Sequence, residues 1–199
     1  MEHQSLKFIK WINHYKALAY GELPDNIYKK EKKYDFVKKE LPDSDIGIYI
    51  PKACETVTAS SLDEIFGNNI MPKYIWADVE SDLSFWIHTE NMNEYGTIEQ
   101  CVERYLERLE ANQIELSIYS KGNCWKGKNA EFQWIRCSHF YGYDKYYSAI
   151  YFTKAQDKAV IGGVCGKLRE DEIVRFLAIQ IMDNFIIKNK DNEKEGEKE

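Results

Sequence analysis

The most regular part of the chain begins with TIEQCVERYLERLEAN, residues 97–112, and continues to Ile187. Gly96 and Thr97 followed by Gln100 have the pattern of a capping box, in which two side chains bond the free N–H groups of a helix start. Apolar residues then recur at the spacing of one helix face: Ile98, Cys101, Val102, Tyr105, Leu106 and Leu109. The sequence therefore predicts an amphipathic helix at Thr97–Asn112 that packs against a sheet.

Four strands are predicted downstream of this helix. They are Ile114–Tyr119, Ala130–Tyr141, Tyr146–Thr153 and Ala159–Cys165, with turn residues between them. Because such short connections join antiparallel neighbours, we expect the four strands to form an antiparallel meander. A last helix is predicted at Glu170–Ile187, where Ile173, Leu177, Ile181 and Phe185 follow a four-residue step.

The upstream part of the chain is less regular. Periodicity predicts helices at Ser5–Tyr20 and Asp25–Glu40, a strand at Ile46–Pro51, and a hairpin formed by Tyr74–Ala77 and Leu83–Thr89. The second helix is inferred from an apolar side made by Ile27, Tyr34, Val37 and Leu41.

The predicted fold class is a single-domain α+β protein. A curved antiparallel sheet of five to seven strands is expected to be packed by N-terminal, middle and C-terminal helices. Residues 1–45 are predicted to form a helical extension packed on the core, and residues 46–187 the core itself. Residues 188–199 are predicted to be a disordered tail, because they are charged and carry almost no apolar side chains.

Composition excludes several classes of function. The 199 residues are 44% apolar, which is enough for a core, and the net charge of −6 argues against a surface that binds nucleic acid. The N-terminal residues lack a long apolar run, so we expect neither a secretory signal nor a membrane interaction. The five cysteines include no C-x-x-C pair, which favours reduced thiols and a cytoplasmic location.

Residues that could carry chemistry are scattered along the sequence. Cys137 and His139 share a strand face, but same-face neighbours are about 6.5–7 Å apart, too far for a base to activate a thiol. His88 and His139, even with Glu90 or Glu131, lack the close spacing typical of metal ligands. We therefore expect no catalytic residue, no metal site and no cofactor.

Glycines late in the chain do not form a nucleotide loop. Gly162, Gly163 and Gly166 lack the order of a dinucleotide or phosphate loop. Their position in a predicted strand favours a bulge, or a close approach of the last helix to that strand.

Aromatic residues are concentrated between residues 125 and 151. Tyr and Trp are enriched in protein interfaces because they combine rigid contact area with a hydrogen-bonding tip. We take five of them as the predicted partner-binding residues: Trp125, Trp134, Tyr141, Tyr143 and Tyr147.

The sequence thus favours a non-catalytic cytoplasmic interaction module, such as an adaptor, a chaperone-like binder or an inhibitor of another protein. The alternative is a small-molecule-binding protein or an unrecognised enzyme that uses the concave face of the sheet. Its polar groups would be His88, Glu131, Arg136 and His139. Self-association of two copies through the exposed tyrosines is a third reading.

The order of elements from Ile46 to Ile187 resembles the PsbP-like fold, which the photosystem protein PsbP shares with a yeast Ran-binding import factor and with effector-associated chaperones of type VI secretion. This resemblance implies a curved antiparallel sheet flanked by helices, in proteins that act by binding other proteins. The likeness is one of topology without a diagnostic motif, so it assigns no functional residue.

Overall fold

The computed structural model describes residues 26–29, 32–42, 44–57, 72–78, 80–111, 116–141, 144–167 and 171–188. The chain divides into two compact units, Met1–Phe36 and Val37–Glu199. In the first unit, strand β1 (Asn26–Lys29) pairs antiparallel with the first residues of β2 (Lys32–Glu40). The predicted helix at Ser5–Tyr20 lies outside the described residues.

The helix predicted at Asp25–Glu40 is wrong, because these residues contain the β1–β2 hairpin instead. Side chains from Val37 to Glu40 alternate between partly buried and exposed, which is the two-residue period of a strand. The helix-like spacing of apolar residues was therefore coincidental. Pairing with neighbouring strands outweighs the local helix propensity of the lysines and glutamates.

A small sheet lies in the second unit. Strand β3 (Ile46–Pro51) lies between the end of β2 and a short C-terminal strand, β11 (Ile186–Ile187). Ile186 of β11 pairs with Gly47, and Ile187 pairs with Ile46. The predicted strand at Ile46–Pro51 is thereby confirmed.

The main sheet has seven strands in the order β4-β5-β6-β10-β9-β8-β7, and every neighbouring pair is antiparallel. The strands are β4 (Glu55–Thr56), β5 (Tyr74–Asp78), β6 (Leu83–Asn91), β7 (Ser117–Lys126), β8 (Glu131–Tyr141), β9 (Asp144–Ala155) and β10 (Lys158–Lys167). The predicted hairpin is β5–β6, and the predicted meander is β7–β10. Strand β7 runs further than predicted, so that Trp125 lies in the sheet opposite Phe132.

Two α-helices occur within the described ranges, α1 (Ile98–Ala111) and α2 (Asp171–Asp183). The capping box is confirmed at the start of α1. The backbone N–H of Gln100 donates to Thr97 Oγ1 at 3.3 Å, and that of Thr97 donates to Gln100 Oε1 at 3.2 Å. The α+β class is confirmed, with a middle and a C-terminal helix in the described part of the chain.

Helix α1 packs on one face of the main sheet. Its buried side chains are Cys101, Tyr105 and Leu109. The Tyr105 ring stacks on Trp86 of β6 at 6.3 Å and meets the Phe152 ring of β9 edge-on at 5.5 Å. Burial of a large apolar side chain contributes roughly 1.5–3 kcal/mol, so this stripe holds α1 in place.

Helix α2 packs on the opposite face, where Ile173, Leu177 and Ile181 are buried as predicted. The helix ends at Asp183, short of the predicted end at Ile187. Phe185 is still fully buried, but it lies beyond the helix and packs edge-on against Phe132 at 5.4 Å. The last predicted turn is replaced by β11 because its β-branched residues pair with β3.

The glycines of β10 accommodate close neighbours. Pairing with β6 is continuous from Lys158 to Gly166, so the bulge predicted as one alternative is absent from this pairing. A Cβ at Gly162 would lie 2.3 Å from the Tyr151 ring, and one at Gly163 would lie 2.6 Å from the Trp86 ring. A Cβ at Gly166 would lie 3.0 Å from Val174, so α2 does approach this strand closely.

Candidate functional site

The outer ribbon, which we define as strands β7, β8 and β9, forms one edge of the main sheet. Its exposed large apolar side chains are Ile118, Tyr119 and Phe140, with 39%, 50% and 68% of their surface accessible. Ser117 of β7 pairs with Ser138 of β8, so these three residues lie at the same end of the ribbon. We call them the aromatic end.

Cations flank the rings of the aromatic end. The Tyr119 ring stacks on the Tyr147 ring at 5.9 Å, and the Arg136 guanidinium lies 5.7 Å from the centre of that second ring. Lys145 Nζ lies 5.7 Å from the centre of the Phe140 ring. Cation–π contacts of this kind favour a surface that presents positive charge beside aromatic groups.

The five predicted partner-binding residues lie in different surroundings. Tyr147 is only 2% exposed, because the Tyr119 ring covers its ring. Tyr147 therefore packs beneath the exposed surface and is not itself available to a partner. Tyr143 lies outside the described residues, and Tyr141 is described only as part of β8. Trp125 and Trp134 are partly buried and face helix α2 instead of the aromatic end.

Sequence reasoning missed Tyr119 and Phe140, the more exposed rings. The sequence contains a signal for Phe140. It follows Trp134, Arg136 and Ser138 at steps of two residues, which places all four on one face of a strand. Tyr119 is the last residue of a predicted strand, and in the structure it lies at a break in the β7–β8 register between Ile118 and Ser120. Such a break is not visible in the sequence.

A cavity of about 90 Å³ lies between helix α2 and the outer ribbon. We call it the α2 cavity; its walls include Trp125, Trp134, Arg136, Ala149 and Tyr151 from the sheet and Arg175, Ala178, Ile179 and Met182 from the helix. Trp125 is fixed by a hydrogen bond from its indole Nε1 to Asp183 Oδ1 at 2.8 Å. Two of the predicted aromatic residues therefore form a cavity wall and not an open surface.

Two residues that line the α2 cavity, Tyr151 and Arg136, carry polar groups, and the Tyr151 hydroxyl lies over Gly162 of β10. The Tyr151 hydroxyl is buried and has no partner among the described residues. Burial raises the pKa of Tyr151, so this hydroxyl keeps its proton and remains a donor. Arg136 donates its Nε to the Tyr147 hydroxyl, which leaves the terminal nitrogens of its guanidinium for another acceptor.

The polar groups of the alternative reading do not converge. His88 lies on β6 and His139 on β8, with β10 and β9 between them. The strands of His88 and His139 are therefore three strand spacings apart, which corresponds to about 14 Å. Arg136 is on the opposite face of β8 from His139, and Glu131 is exposed beside Lys126. The four groups therefore share no site in this fold.

Cys137 and His139 lie on the same face of β8, as the sequence indicated, but neither is poised for nucleophilic chemistry. Burial raises the pKa of the Cys137 thiol to about 12, so the thiolate is disfavoured at neutral pH. Burial lowers the pKa of His139, whose ring stacks on Tyr146 at 5.9 Å. No group of three or more metal-ligating side chains occurs within the described ranges.

Glu90, near the end of β6, is the centre of a charge cluster. Arg108 of α1 donates to both carboxylate oxygens, at 2.7 and 2.9 Å, and His88 Nε2 lies 2.9 Å from Oε1. Burial raises the pKa of Glu90, but the hydrogen bonds from Arg108 and His88 outweigh burial and lower this pKa to about 2. This cluster ties α1 to the sheet and borders no cavity that we identify among the described residues.

Comparison with known proteins identifies the architecture. No model of a protein family matches this sequence, and no curated protein matches it either. The solution structure of CyanoP, the PsbP of the cyanobacterium Synechocystis sp. PCC 6803, is similar with a TM-score of 0.59 and 9% identity, over 81% of this chain and 98% of CyanoP. The fold is PsbP-like.

A second PsbP-like structure is the Ran-binding protein Mog1p of Saccharomyces cerevisiae. Its TM-score is 0.52 at 10% identity, over 77% of this chain and 96% of Mog1p. Identities this low establish the shared fold alone. None of the described helices has the length and apolar character that a membrane crossing requires.

Proposed function

We propose that this chain is a non-catalytic protein-binding module whose contact surface is the aromatic end. The observation that carries the proposal is the exposure of Phe140 and Tyr119 on one face of one hairpin, at the end where Ile118 is also exposed on the other face. Isolated exposed apolar residues are common on proteins, whereas clustered ones are typical of an interface.

Side-chain contact is favoured over strand addition. Strand β7 forms the edge of the sheet, where unpaired backbone groups could accept another strand. However, its register against β8 is broken between Ile118 and Ser120 and again between Gly122 and Trp125. Bulges of this kind interrupt the row of backbone groups that strand addition needs, so a partner would contact the rings.

The charge near the aromatic end favours an acidic partner. Lys145 lies beside the Phe140 ring and Arg136 beside the Tyr147 ring that Tyr119 covers, although the whole chain has a net charge of −6. A partner surface that offers apolar side chains together with carboxylates would complement this local positive charge. Among similar folds, Mog1p is a Ran-binding protein, which is an example of this architecture acting as a binding module.

The test is capture of partners from native lysate with a double variant, Tyr119→Ser with Phe140→Ser. The matched control is Lys126→Ala with Glu131→Ala, which changes two exposed residues at the opposite end of the same hairpin. We expect the first variant to lose a protein that the wild type and the control both retain. Retention of every captured protein by the serine variant would contradict the proposal.

Light scattering separates this function from self-association. If the aromatic end paired two copies, the wild-type protein would be a dimer and the serine variant a monomer. We expect both to be monomers. The finer role, whether adaptor, chaperone-like binder or inhibitor, and the cytoplasmic location stay predictions from the sequence.

A further inference from the structure

Tyr119 is held in place over the outer ribbon. Its hydroxyl lies 2.6 Å from Ser138 Oγ on β8, and its ring stacks on the Tyr147 ring of β9 at 5.9 Å, with 19° between the two planes. Ser138 and Tyr147 are buried, so these contacts fix the side of Tyr119 that faces the sheet. Half of its surface remains accessible. Tyr119 therefore loses little further freedom when a ligand packs on it.

Phe140 is a neighbour of Tyr119 on the same face of the ribbon. It follows Ser138 by two residues along β8, which corresponds to about 7 Å. Lys145 of β9 pairs with Phe140, and its Nζ lies 5.7 Å from the centre of the Phe140 ring. Lys145 takes part in none of the ion pairs found among the described residues. This face thus offers two exposed rings with one ammonium group beside them.

The exposed area of the two rings is small for contact with a folded partner. An aromatic side chain buries about 150–250 Å² when it is fully covered, so Tyr119 and Phe140, at 50% and 68% accessibility, offer roughly 200–300 Å² together. A stable interface between folded proteins buries about 800 Å² on each partner. By area, the two rings therefore fit a short linear segment better than a folded surface or a second copy of this chain.

A segment in the polyproline II conformation meets these conditions. It is extended before it binds and has no internal hydrogen bonds, so it loses little conformational entropy on a small surface. Its three residues per turn rise about 9 Å, so prolines on one side of it recur at close to the spacing of the two rings. Aromatic surfaces recognise proline-rich segments in this way, whereas an amphipathic helix needs an apolar groove several turns long.

We propose that the aromatic end binds a proline-rich segment of a partner protein in the polyproline II conformation, with proline rings on Tyr119 and Phe140. A carboxylate of the segment lies at Lys145, since an acidic side chain complements its charge. Ile118, on the other face of the ribbon, takes no part in this contact. The inference rests on the proposed function, because it names the kind of partner segment that the aromatic end accepts.

Three peptides separate the parts of this inference. Acetyl-Glu-Pro-Pro-Pro-Pro-Glu amide is titrated into the full chain labelled with nitrogen-15. The second peptide has alanines in place of the prolines, and the third has glutamines in place of the glutamates. We expect the first peptide to shift the backbone amide resonances of Tyr119, Phe140 and Lys145 saturably. It should bind about tenfold more tightly than the alanine peptide and, at low salt, about threefold more tightly than the glutamine peptide.

Two variants assign the contacts, and both change exposed or partly exposed side chains. Phe140→Leu keeps an apolar group but removes the flat ring, and should weaken binding of both proline peptides severalfold. Lys145→Gln should abolish the preference for glutamate over glutamine and keep the preference for proline over alanine. The matched control is the variant Lys126→Ala with Glu131→Ala, which should bind all three peptides as the wild type does. The amide spectrum of each variant shows whether it is folded.

Equal binding of the proline and alanine peptides, or no saturable shift at the aromatic end of the wild-type protein, would overturn the inference. A preference for glutamate that survives Lys145→Gln would overturn the place given to the carboxylate. These failures differ from failure of the proposed function. If no proline peptide binds but the serine variant of the aromatic end still loses a captured protein, the aromatic end remains an interface and the proline-rich segment is wrong.

Discussion

Glu90 lies near the end of a strand, yet its contacts lead us to expect a large contribution to stability. Its carboxylate accepts two hydrogen bonds from Arg108 and contacts His88, and its side chain is only 14% exposed. Glu90→Gln removes the charge that these donors share. We expect the free energy of unfolding in urea at pH 7 to fall by about 2 kcal/mol, in the range for hydrogen bonds to charged groups.

The same residue predicts a dependence of stability on pH. The pKa of Glu90 is lowered from 4.5 to about 2 in the folded protein. Protons therefore bind Glu90 more readily in the unfolded state than in the folded state. The contribution of Glu90 to the free energy of unfolding is complete above pH 4.5 and is lost as the pH falls through about 2. The wild-type protein should lose more stability than Glu90→Gln across this window. The exposed Glu103→Gln is the control, and an identical loss in all three proteins would contradict the assignment.

Gln180 is a buried amide on α2 that we expect to lower stability. It is 0% exposed, and neither Nε2 nor Oε1 has a partner in the described part of the chain. Gln180→Met keeps the length of the side chain and removes two unsatisfied polar atoms. We expect the free energy of unfolding to rise by about 1 kcal/mol, measured as a shift of the urea midpoint at constant slope.

A charged replacement at the same position is the control. Gln180→Glu should destabilise the protein strongly at neutral pH, because an unpaired carboxylate would be buried. If Gln180→Met is instead less stable than the wild type, the amide is hydrogen-bonded in solution, for example to an internal water molecule.

Helix α1 shows how a local signal fixes an element. The capping box joins Thr97 and Gln100 through two reciprocal hydrogen bonds. Thr97→Ala should reduce the free energy of unfolding by about 1 kcal/mol, the usual cost of losing a cap, as followed by circular dichroism in urea. Gln100→Ala removes one hydrogen bond and should cost about half as much. A larger loss for Gln100→Ala than for Thr97→Ala would show that the box does not act as described.

Elements with such local signals were predictable, and elements that depend on distant pairing were not. Helix α1 was predicted from its cap and its apolar stripe, and strands β8–β10 from aromatic and β-branched runs between turns. The sequence of the β1–β2 hairpin predicts a helix because its apolar residues recur at helical spacing and its lysines and glutamates favour helices, and only pairing between the strands decides against it. The residues of β11 are predicted as the end of α2, because their pairing cannot be seen locally. Ile186 pairs with Gly47, which is far away in the sequence.

The candidate site was predictable in its region but not in its exposed residues. The excess of aromatic residues points to the outer ribbon, and the exposed rings Tyr119 and Phe140 lie in it. Which rings are exposed depends on the strand faces and on what covers them: Tyr147 is buried under Tyr119, while Trp134 faces α2. A sequence gives alternation along each strand but does not say which face a helix covers.

At the scale of the whole molecule, the second unit is held together by pairings between residues that are far apart in the sequence. Strand β6 pairs with β10, which joins the early hairpin to the later meander. The C-terminal residues then return to β3: Ile187 pairs with Ile46, and the backbone N–H of Lys188 donates to the Asp45 carbonyl at 2.7 Å. Because such contacts close long loops, we expect them to form late in folding and to depend on the integrity of the C-terminus.

Truncation tests this role of the C-terminus. Phe185 is fully buried against Phe132, and its carbonyl accepts a hydrogen bond from Asn129 Nδ2 at 2.7 Å. Ending the chain at Asn184 removes this ring together with β11, and should lower the free energy of unfolding by at least about 3–5 kcal/mol, the cost of emptying a buried phenylalanine site. Ending it at Lys188 removes only the predicted charged tail and should change stability by less than about 0.5 kcal/mol. Equal urea midpoints for the two truncated chains would mean that closure by β11 contributes nothing to the fold.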